Sequence, residues 1–532
     1  MKKLKNLVIL GLLVITAVVL VPSVFAVFDN DSIGSIEVNG LEKGVTVSAY
    51  RLMVVNIDNE QPRDPIYSWA TDELATWIRG KSAYSSFVAA DSNAVTEAFS
   101  TSSEADRKKF YDELANDIKG GNLSISVANT ATADEDGKAT IGSLKMGNYL
   151  ILAENGMKIY EPLSANVVAQ YDDDTGKWNV SDGKLETVKV NEKSSKPEVD
   201  KTVKVKDSEE ESVNDIQAKI GTKLTYTVDA DVPKYPENAI YKNLKISDTL
   251  TGGLTFDKDS VVVYGVNGSS RTPLTEGYTL TKNDDGFVLE FTTEQYEATL
   301  EGKYAKVVVE YDATINENAV VVDSTNTAGN INTAKLEYNN NPYSKGTYDG
   351  KDEDIVHVYT YGIKINKKGT GKDANGLAGV KFEIAQGNNT LCFKETETAG
   401  TYVYTGVKGS SGCAEGDTEV TTPTGGNLVL KGLDEGTYEV TETYAPEDYV
   451  KAAKMQFTID DTDTLDGVVT VDGDLVTTDG YVENNVINTK GFTLPVTGGI
   501  GTLIFSIIGI VFMGVSAFLI RNIFKKKEVK NI

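Results

Sequence analysis

The chain is poor in two residues that many catalytic and metal-binding sites need: 532 residues contain one histidine and two cysteines, and only twelve prolines besides. The single histidine, His357, has no serine or cysteine motif beside it and reads as a boundary residue rather than a catalytic base. No phosphate loop, dinucleotide fingerprint, zinc spacing or calcium loop occurs, and Asp172-Asp173-Asp174 reads as a solvated turn, so neither a metal nor a cofactor is expected. Cations are also in short supply. Lys and Arg number 52 against 78 Asp and Glu, a formal net charge of -26. Such a chain repels nucleic acid, and no basic face with interleaved aromatics offsets the charge. What remains is rich in Gly, Thr and Val, a folded and strand-forming composition rather than a disordered one.

The length exceeds that of one core and suggests about three domains. Both ends read as targeting segments. Residues 1–26 form a signal peptide: Lys2, Lys3 and Lys5, an apolar run from Leu7 to Val21, then Val24-Phe25-Ala26 as the cleavage site. An uncleaved membrane anchor is the alternative. At the other end, Ile500 to Ile520 carries no charge, enough for a helix across the ~30 Å hydrocarbon core, and Arg521, Lys525, Lys526 and Lys527 follow as a cytoplasmic stop.

Immediately before that apolar run stands Leu494-Pro495-Val496-Thr497-Gly498. Pentapeptide, apolar span and basic tail in this order (494–532) resemble the cell-wall sorting signal of Gram-positive surface proteins. The resemblance implies a sortase whose thiolate attacks the Thr497 carbonyl and releases Gly498 onward, an acyl transfer through a covalent intermediate. Pro495 keeps the peptide out of a helix and extended. The chain would thus be the substrate of an enzyme rather than an enzyme.

Between the ends, three regions are expected. The first, 27–193, opens with alternating strands around Ile36–Val38 and Val45–Ala49 and carries a helical insert. Ala70, Leu74, Trp77 and Ile78 share one helix face, and Phe110, Leu114 and Ile118 another, with Ser103 as a cap. Polar residues from Asn191 to Pro197 read as a linker. The second region, 196–356, has strands near Leu224–Val228, Ser260–Tyr264 and Lys306–Glu310; the third spans 359–490. Regularly spaced short strands predict Ig-like β-sandwiches.

Two lysines fall where a core should be. Val199, Lys201 and Val203 share a strand face, as do Ile363, Ile365 and Lys367. An unpaired buried ammonium is expensive, so each amine must be neutral, paired or consumed. Asparagines stand near the region ends, Asn332 and Asn488, with acids at Asp248 and Glu442. A neutral amine can attack the asparagine carbonyl and expel ammonia, a protonated carboxyl polarising that carbonyl; burial favours both neutral forms. Asn326 and Asn339 compete with Asn332, and solvent-facing lysines are the plain alternative.

The stretch Tyr438-Glu439-Val440-Thr441-Glu442-Thr443-Tyr444-Ala445-Pro446, closing with Tyr449, resembles the glutamate box of sortase-assembled pilins, and Asn488-Thr489-Lys490-Gly491 before the sorting motif resembles them too. The third region is thus similar to a collagen-adhesin B-type domain with Lys367, Asn488 and Glu442 as its triad. The second is similar to the A-type domain, through Lys201-Thr-Val, Asp248-Thr-Leu and Asn332 before Leu336-Glu-Tyr-Asn-Asn-Asn-Pro342. The resemblance implies intramolecular isopeptide bonds in both. It also implies an acceptor lysine late in the first domain. The matching stretch is Val188-Lys189-Val190-Asn191-Glu192-Lys193, so Lys193 is the choice. Asn191 and Glu192 stand where the family has Tyr and Pro, and Trp178 lies farther upstream than its tryptophan, so Lys189 and Lys196 stay open. Cys392 and Cys413, 21 positions apart, are free to form a disulfide after export, two free thiols being the alternative.

The expectation is a mainly β protein of tandem Ig-like sandwiches with a helical insert in its first domain. It would serve as the major subunit of a covalent surface pilus that supports adhesion, needing no cofactor. Expected partners are pilus-specific and housekeeping sortases, identical subunits head to tail, accessory pilins, peptidoglycan, and host matrix or cell receptors. A monomeric wall-anchored adhesin or an accessory pilin is the rival reading.

Overall fold

The computed structural model describes residues 31–58, 61–172, 177–179, 184–344, 348–461, 465–471, 475–476, 479–491 and 500–528. The signal peptide, 1–26, and the sorting motif Leu494–Gly498 lie outside the described residues. The fold is mainly β, as expected, and divides into two compact units. One comprises the described residues up to Val320 together with Ala328–Tyr359; the other comprises Val321–Thr327 and the chain from Thr360 onward.

Within the first unit, the N-terminal region packs two sheets. Strand Ile33–Asn39 runs parallel to Lys184–Asn191 and antiparallel to Lys138–Lys145. The facing sheet places Thr46–Asp58 between Gln61–Trp69 and Gly147–Glu154. Alternation fixes what lies between them: Ile36, Val38, Val47, Ile141, Ile151 and Val167 are all buried in one core. The helical insert builds a second core on the far face. Helix Asp72–Gly80 starts at Thr71, whose side chain caps the Leu74 N–H, so Ala70 stands before the helix while Leu74 and Ile78 are buried. Helix Glu104–Lys119 is capped by Ser103, whose hydroxyl accepts from the Asp106 N–H at 3.0 Å, and it buries Phe110 and Leu114.

The polar stretch 191–197 is not a free linker. Ser194–Ser195 pairs antiparallel with Ile159–Tyr160, the Lys193 carbonyl accepts from the Glu161 N–H at 2.9 Å, and Pro197 is buried. Backbone hydrogen bonding overrides the polar composition here. The first and second regions are also tied by the segment after strand Asn330–Tyr338. The Tyr338 hydroxyl donates to the Met157 carbonyl at 2.9 Å, and Asn341 Nδ2 donates to Glu154 Oε1 at 3.2 Å. Tyr343 then inserts into the helical core of the first region beside Phe110 and Leu152.

The second region is a sandwich. One sheet runs Val199–Val205, Lys223–Asp231, Lys306–Ile315, Val262–Asn267 and Ser270–Leu274. The other runs Asp215–Gln217, Gly350–Tyr359, Asn330–Tyr338, Leu244–Leu250, Gly286–Phe291 and Thr279–Lys282. His357 belongs to strand Gly350–Tyr359 rather than to a linker. Its backbone N–H and Nδ1 both meet Asp215 Oδ1, at 2.8 and 2.9 Å.

In the second unit, strand Tyr361–Lys368 lies between Asn427–Leu433, antiparallel, and Tyr481–Ile487, parallel. Strands Lys381–Gln386 and Gly436–Tyr444 pair with each other farther along the same nine-stranded sheet. Cys392 and Cys413 form a disulfide, their Cα atoms 5.5 Å apart. Helix Ile500–Glu528 carries the uncharged C-terminal run. Its side chains are described over 506–521, and among the residues so described no helix is long and apolar enough to cross a membrane.

Candidate functional site

Lys201 sits on the first strand of its sheet and points across the sandwich, fully buried. Asp248 and Asn332 come from neighbouring strands of the facing sheet, where Asp248 pairs with Ala334, two residues from Asn332. The Lys201 amine contacts Asp248 Oδ2 and donates to the Tyr311 hydroxyl at 2.8 Å. Tyr311 in turn donates to Asp248 Oδ1 at 2.6 Å, and Asn332 Nδ2 donates to Tyr311 at 2.6 Å. The rings of Tyr226 and Tyr311 stack, with the amine 5.1 and 5.2 Å from their centres. Burial pushes the Lys201 amine down and the Asp248 carboxyl up, each towards its neutral form. Of the competing asparagines, Asn339 is engaged elsewhere, its Nδ2 donating to the Tyr241 carbonyl at 3.0 Å.

The second cluster closes more tightly. The Lys367 amine contacts Asn488 Oδ1 and lies 3.1 Å from Glu442 Oε2, while Asn488 Nδ2 donates to Glu442 Oε1 at 2.5 Å. All three side chains are buried, and burial holds the amine below the usual lysine range. Backbone geometry fixes the lysine. Its N–H donates to the Gly426 carbonyl, and a Cβ at Gly426 would stand 2.1 Å from the Lys367 carbonyl oxygen, so only glycine fits there. Tyr449 closes the glutamate box through Asp373 Oδ2 at 2.7 Å.

Each cluster therefore presents an amine, a carboxyl and a carboxamide in a water-excluded pocket. That set is competent for aminolysis of the amide: the lysine nitrogen replaces the asparagine nitrogen, which leaves as ammonia. Sequence reasoning missed Tyr311. The signal was available, because Val307, Val309, Tyr311 and Ala313 alternate inward on one strand, and a buried tyrosine hydroxyl needs a partner.

The three lysines at the end of the first region differ in their surroundings. Lys189 pairs with Glu37 at 3.3 Å, and Lys196 lies 3.8 Å from both Glu198 and Asp352. Lys193 is exposed, and among the described residues no carboxylate pairs with its amine. Its backbone is held on both sides: the Glu192 N–H donates to the Asn39 carbonyl at 2.8 Å, and the Lys193 carbonyl accepts from Glu161. The neighbouring Glu192 carboxyl is turned inward with neither oxygen in a well-formed hydrogen bond. Burial pushes it up to about 8, the Lys193 backbone N–H drawing it back only in part.

Comparison with known proteins matches three segments. Residues 220–342 match the Gram-positive pilin backbone subunit 2, Cna-B-like domain, where the sequence resemblance pointed to the A-type. Residues 362–473 match a prealbumin-like fold domain and residues 487–531 the LPXTG cell wall anchor motif. The chain is 25% identical over 379 residues to the trypsin-resistant surface T6 protein of Streptococcus pyogenes serotype M6, covering 60% of this chain and 66% of that one. It is 24% identical over 445 residues to the fimbrial subunit type 2 of Actinomyces naeslundii, covering 75% and 74%. The solved T6 backbone pilin of Streptococcus pyogenes, described as a modular three-domain structure, superposes with a TM-score of 0.54 at 18% identity over 87% of this chain and 100% of that one, a likeness of fold. With a pilin-backbone domain, a prealbumin-like domain and a wall-anchor motif in that order along one polypeptide, the chain is similar to the backbone pilins of Gram-positive bacteria.

Proposed function

We propose that this chain is the structural shaft subunit of a pilus anchored to the Gram-positive cell wall, polymerised through Lys193. A sortase thiolate attacks the Thr497 carbonyl, breaking the Thr497–Gly498 bond and leaving a thioester. The Lys193 amine of another copy then attacks that thioester, forming an amide and returning the thiolate. Repetition of this heterologous contact gives an open filament. A pilus-specific sortase builds the polymer and a housekeeping sortase joins its last subunit to peptidoglycan. Accessory pilins, and host matrix or cell receptors, complete the partners on this reading. Within each subunit, Lys201 joins Asn332 under Asp248, and Lys367 joins Asn488 under Glu442.

The observation that carries the choice of acceptor is the exposed amine of Lys193 on a backbone fixed by hydrogen bonds to Asn39 and Glu161. The test is an immunoblot of boiled, wall-released material from cells producing wild type or Lys193→Ala. A high-mass ladder that collapses to monomer in the variant supports the proposal. A ladder that survives moves the acceptor to Lys189 or Lys196, and no ladder in wild type, with the pilus sortase active, points to a monomeric adhesin.

A further inference from the structure

The two clusters solve one geometric problem in different ways. In the second unit the Glu442 carboxylate reaches both reacting groups, the Lys367 amine at 3.1 Å and the Asn488 amide at 2.5 Å. The corresponding acid of the second region is Asp248, one methylene shorter. It meets the Lys201 amine, but among the described residues no hydrogen bond joins it to Asn332. The gap is filled by the Tyr311 hydroxyl. Its three hydrogen-bond partners are the amine, the carboxylate and the carboxamide, at 2.8, 2.6 and 2.6 Å. A tyrosine kept only for packing needs one partner for its hydroxyl. This one touches every group that must exchange a proton, in a site with no exposed side chain.

We propose that Tyr311 is a catalytic proton relay for joining Lys201 to Asn332, carrying to the departing amide nitrogen the proton that Asp248 cannot deliver directly. This rests on the reading that those two residues become linked. The neutral Lys201 nitrogen attacks the Asn332 carbonyl carbon, forming the C–N bond and placing the electron pair of the C=O bond on oxygen. The Asp248 carboxyl, which burial pushes towards its protonated form, gives its proton to the Tyr311 oxygen as the phenol gives its own to Nδ2. The lysine nitrogen, now positive, then returns one proton to Asp248 Oδ2, which it already contacts. The C=O bond re-forms, the C–Nδ2 bond breaks, and ammonia leaves. Asp248 and Tyr311 end as they began, and the lysine nitrogen has lost one hydrogen to the ammonia.

Tyr226 is the built-in control. Its ring stacks on Tyr311 at 5.4 Å, yet its hydroxyl lies near the Asn332 amide without forming a directed hydrogen bond. The experiment follows the full chain after pulse labelling and quantifies, by peptide mass spectrometry, the Lys201–Asn332 and Lys367–Asn488 cross-linked peptides over time. In Tyr311→Phe the first peptide is expected to form at least tenfold more slowly, while the second appears at the wild-type rate and Tyr226→Phe forms both. A Tyr311→Phe chain that forms the first peptide as fast as wild type overturns the relay. A wild-type chain that forms only the second peptide overturns the underlying link itself, and the relay with it. Should Tyr311→Phe leave the second region protease-sensitive, the wild type grown on 3-fluorotyrosine decides. A more acidic phenol of nearly the same shape changes the rate of the first peptide alone if Tyr311 moves protons. An unchanged rate overturns the proposal.

Discussion

Lys367 and Asn488 meet just beyond the last rungs of two parallel strands: Lys367 pairs with Val486, Lys368 with Ile487, and the Asn488 N–H donates to the Lys368 carbonyl at 2.9 Å. The ladder itself thus delivers the amide to the amine. The side chains stand 121 residues apart in sequence and are in contact. Lys201 and Asn332 approach across the sandwich instead, on facing sheets.

The mature chain is expected to weigh about 34 Da less than its sequence, two ammonia losses of about 17 Da, with a further ~2 Da missing for the disulfide. After allowing for the substitution itself, Lys201→Ala and Lys367→Ala should each restore about 17 Da. Intact-mass spectrometry of the purified ectodomain reads both, and an unshifted wild-type mass apart from the disulfide would discard the cross-links.

Removing the disulfide with Cys392→Ser and Cys413→Ser opens the 21-residue separation between them. The lost loop constraint is worth about 3 kcal/mol. Calorimetry should show the transition of the second unit falling by roughly 10 °C, with the first unit unmoved.

Glu192 makes stability pH-dependent near the acceptor lysine. Its folded pKa is pushed up to about 8, above the ordinary glutamate value, so the folded state holds a proton that the unfolded chain has released. Stability from this group is therefore full below the unfolded pKa and is lost as pH rises towards 8, with a ceiling on the order of 5 kcal/mol. Glu192→Gln should melt higher than wild type at pH 8.5 and equally at pH 4. A melting difference independent of pH would show that the carboxyl is not the cause.

Tyr343 belongs to the second region by sequence and to the helical core of the first by packing. Tyr343→Ala should cost about 3–4 kcal/mol and raise hydrogen exchange in helix Glu104–Lys119 more than in the sheets of the second region. Uniform exchange across the first unit would contradict that localisation.

Much of this was legible in the sequence wherever period and chemistry agreed. Alternation placed Lys201 and Lys367 on inward faces because Val199, Val203, Ile363 and Ile365 flank them, and Leu74, Ile78, Phe110 and Leu114 marked helix faces. The structure then brings Asp248 and Asn332 to the first lysine, and Glu442 and Asn488 to the second. Cross-strand neighbours are a different matter. Tyr311 enters its site only through the register that sets it against Tyr226, and register is a long-range property. The polar run 191–197 misled for a related reason: its backbone partners, Asn39, Ile159, Tyr160 and Glu161, come from elsewhere in the chain, and composition carries no trace of them.

If both links form, a chain pulled between Lys193 and Thr497 passes through residues 193–201, 332–367 and 488–497 and skips the rest. The spans 202–331 and 368–487 hang from the line as closed covalent loops. Their turns, insertions and surface side chains are then free to diverge, for example under immune selection, without altering the length or breaking strength of the fibre. Selection on the shaft falls instead on the few residues in series and on the pockets that weld them.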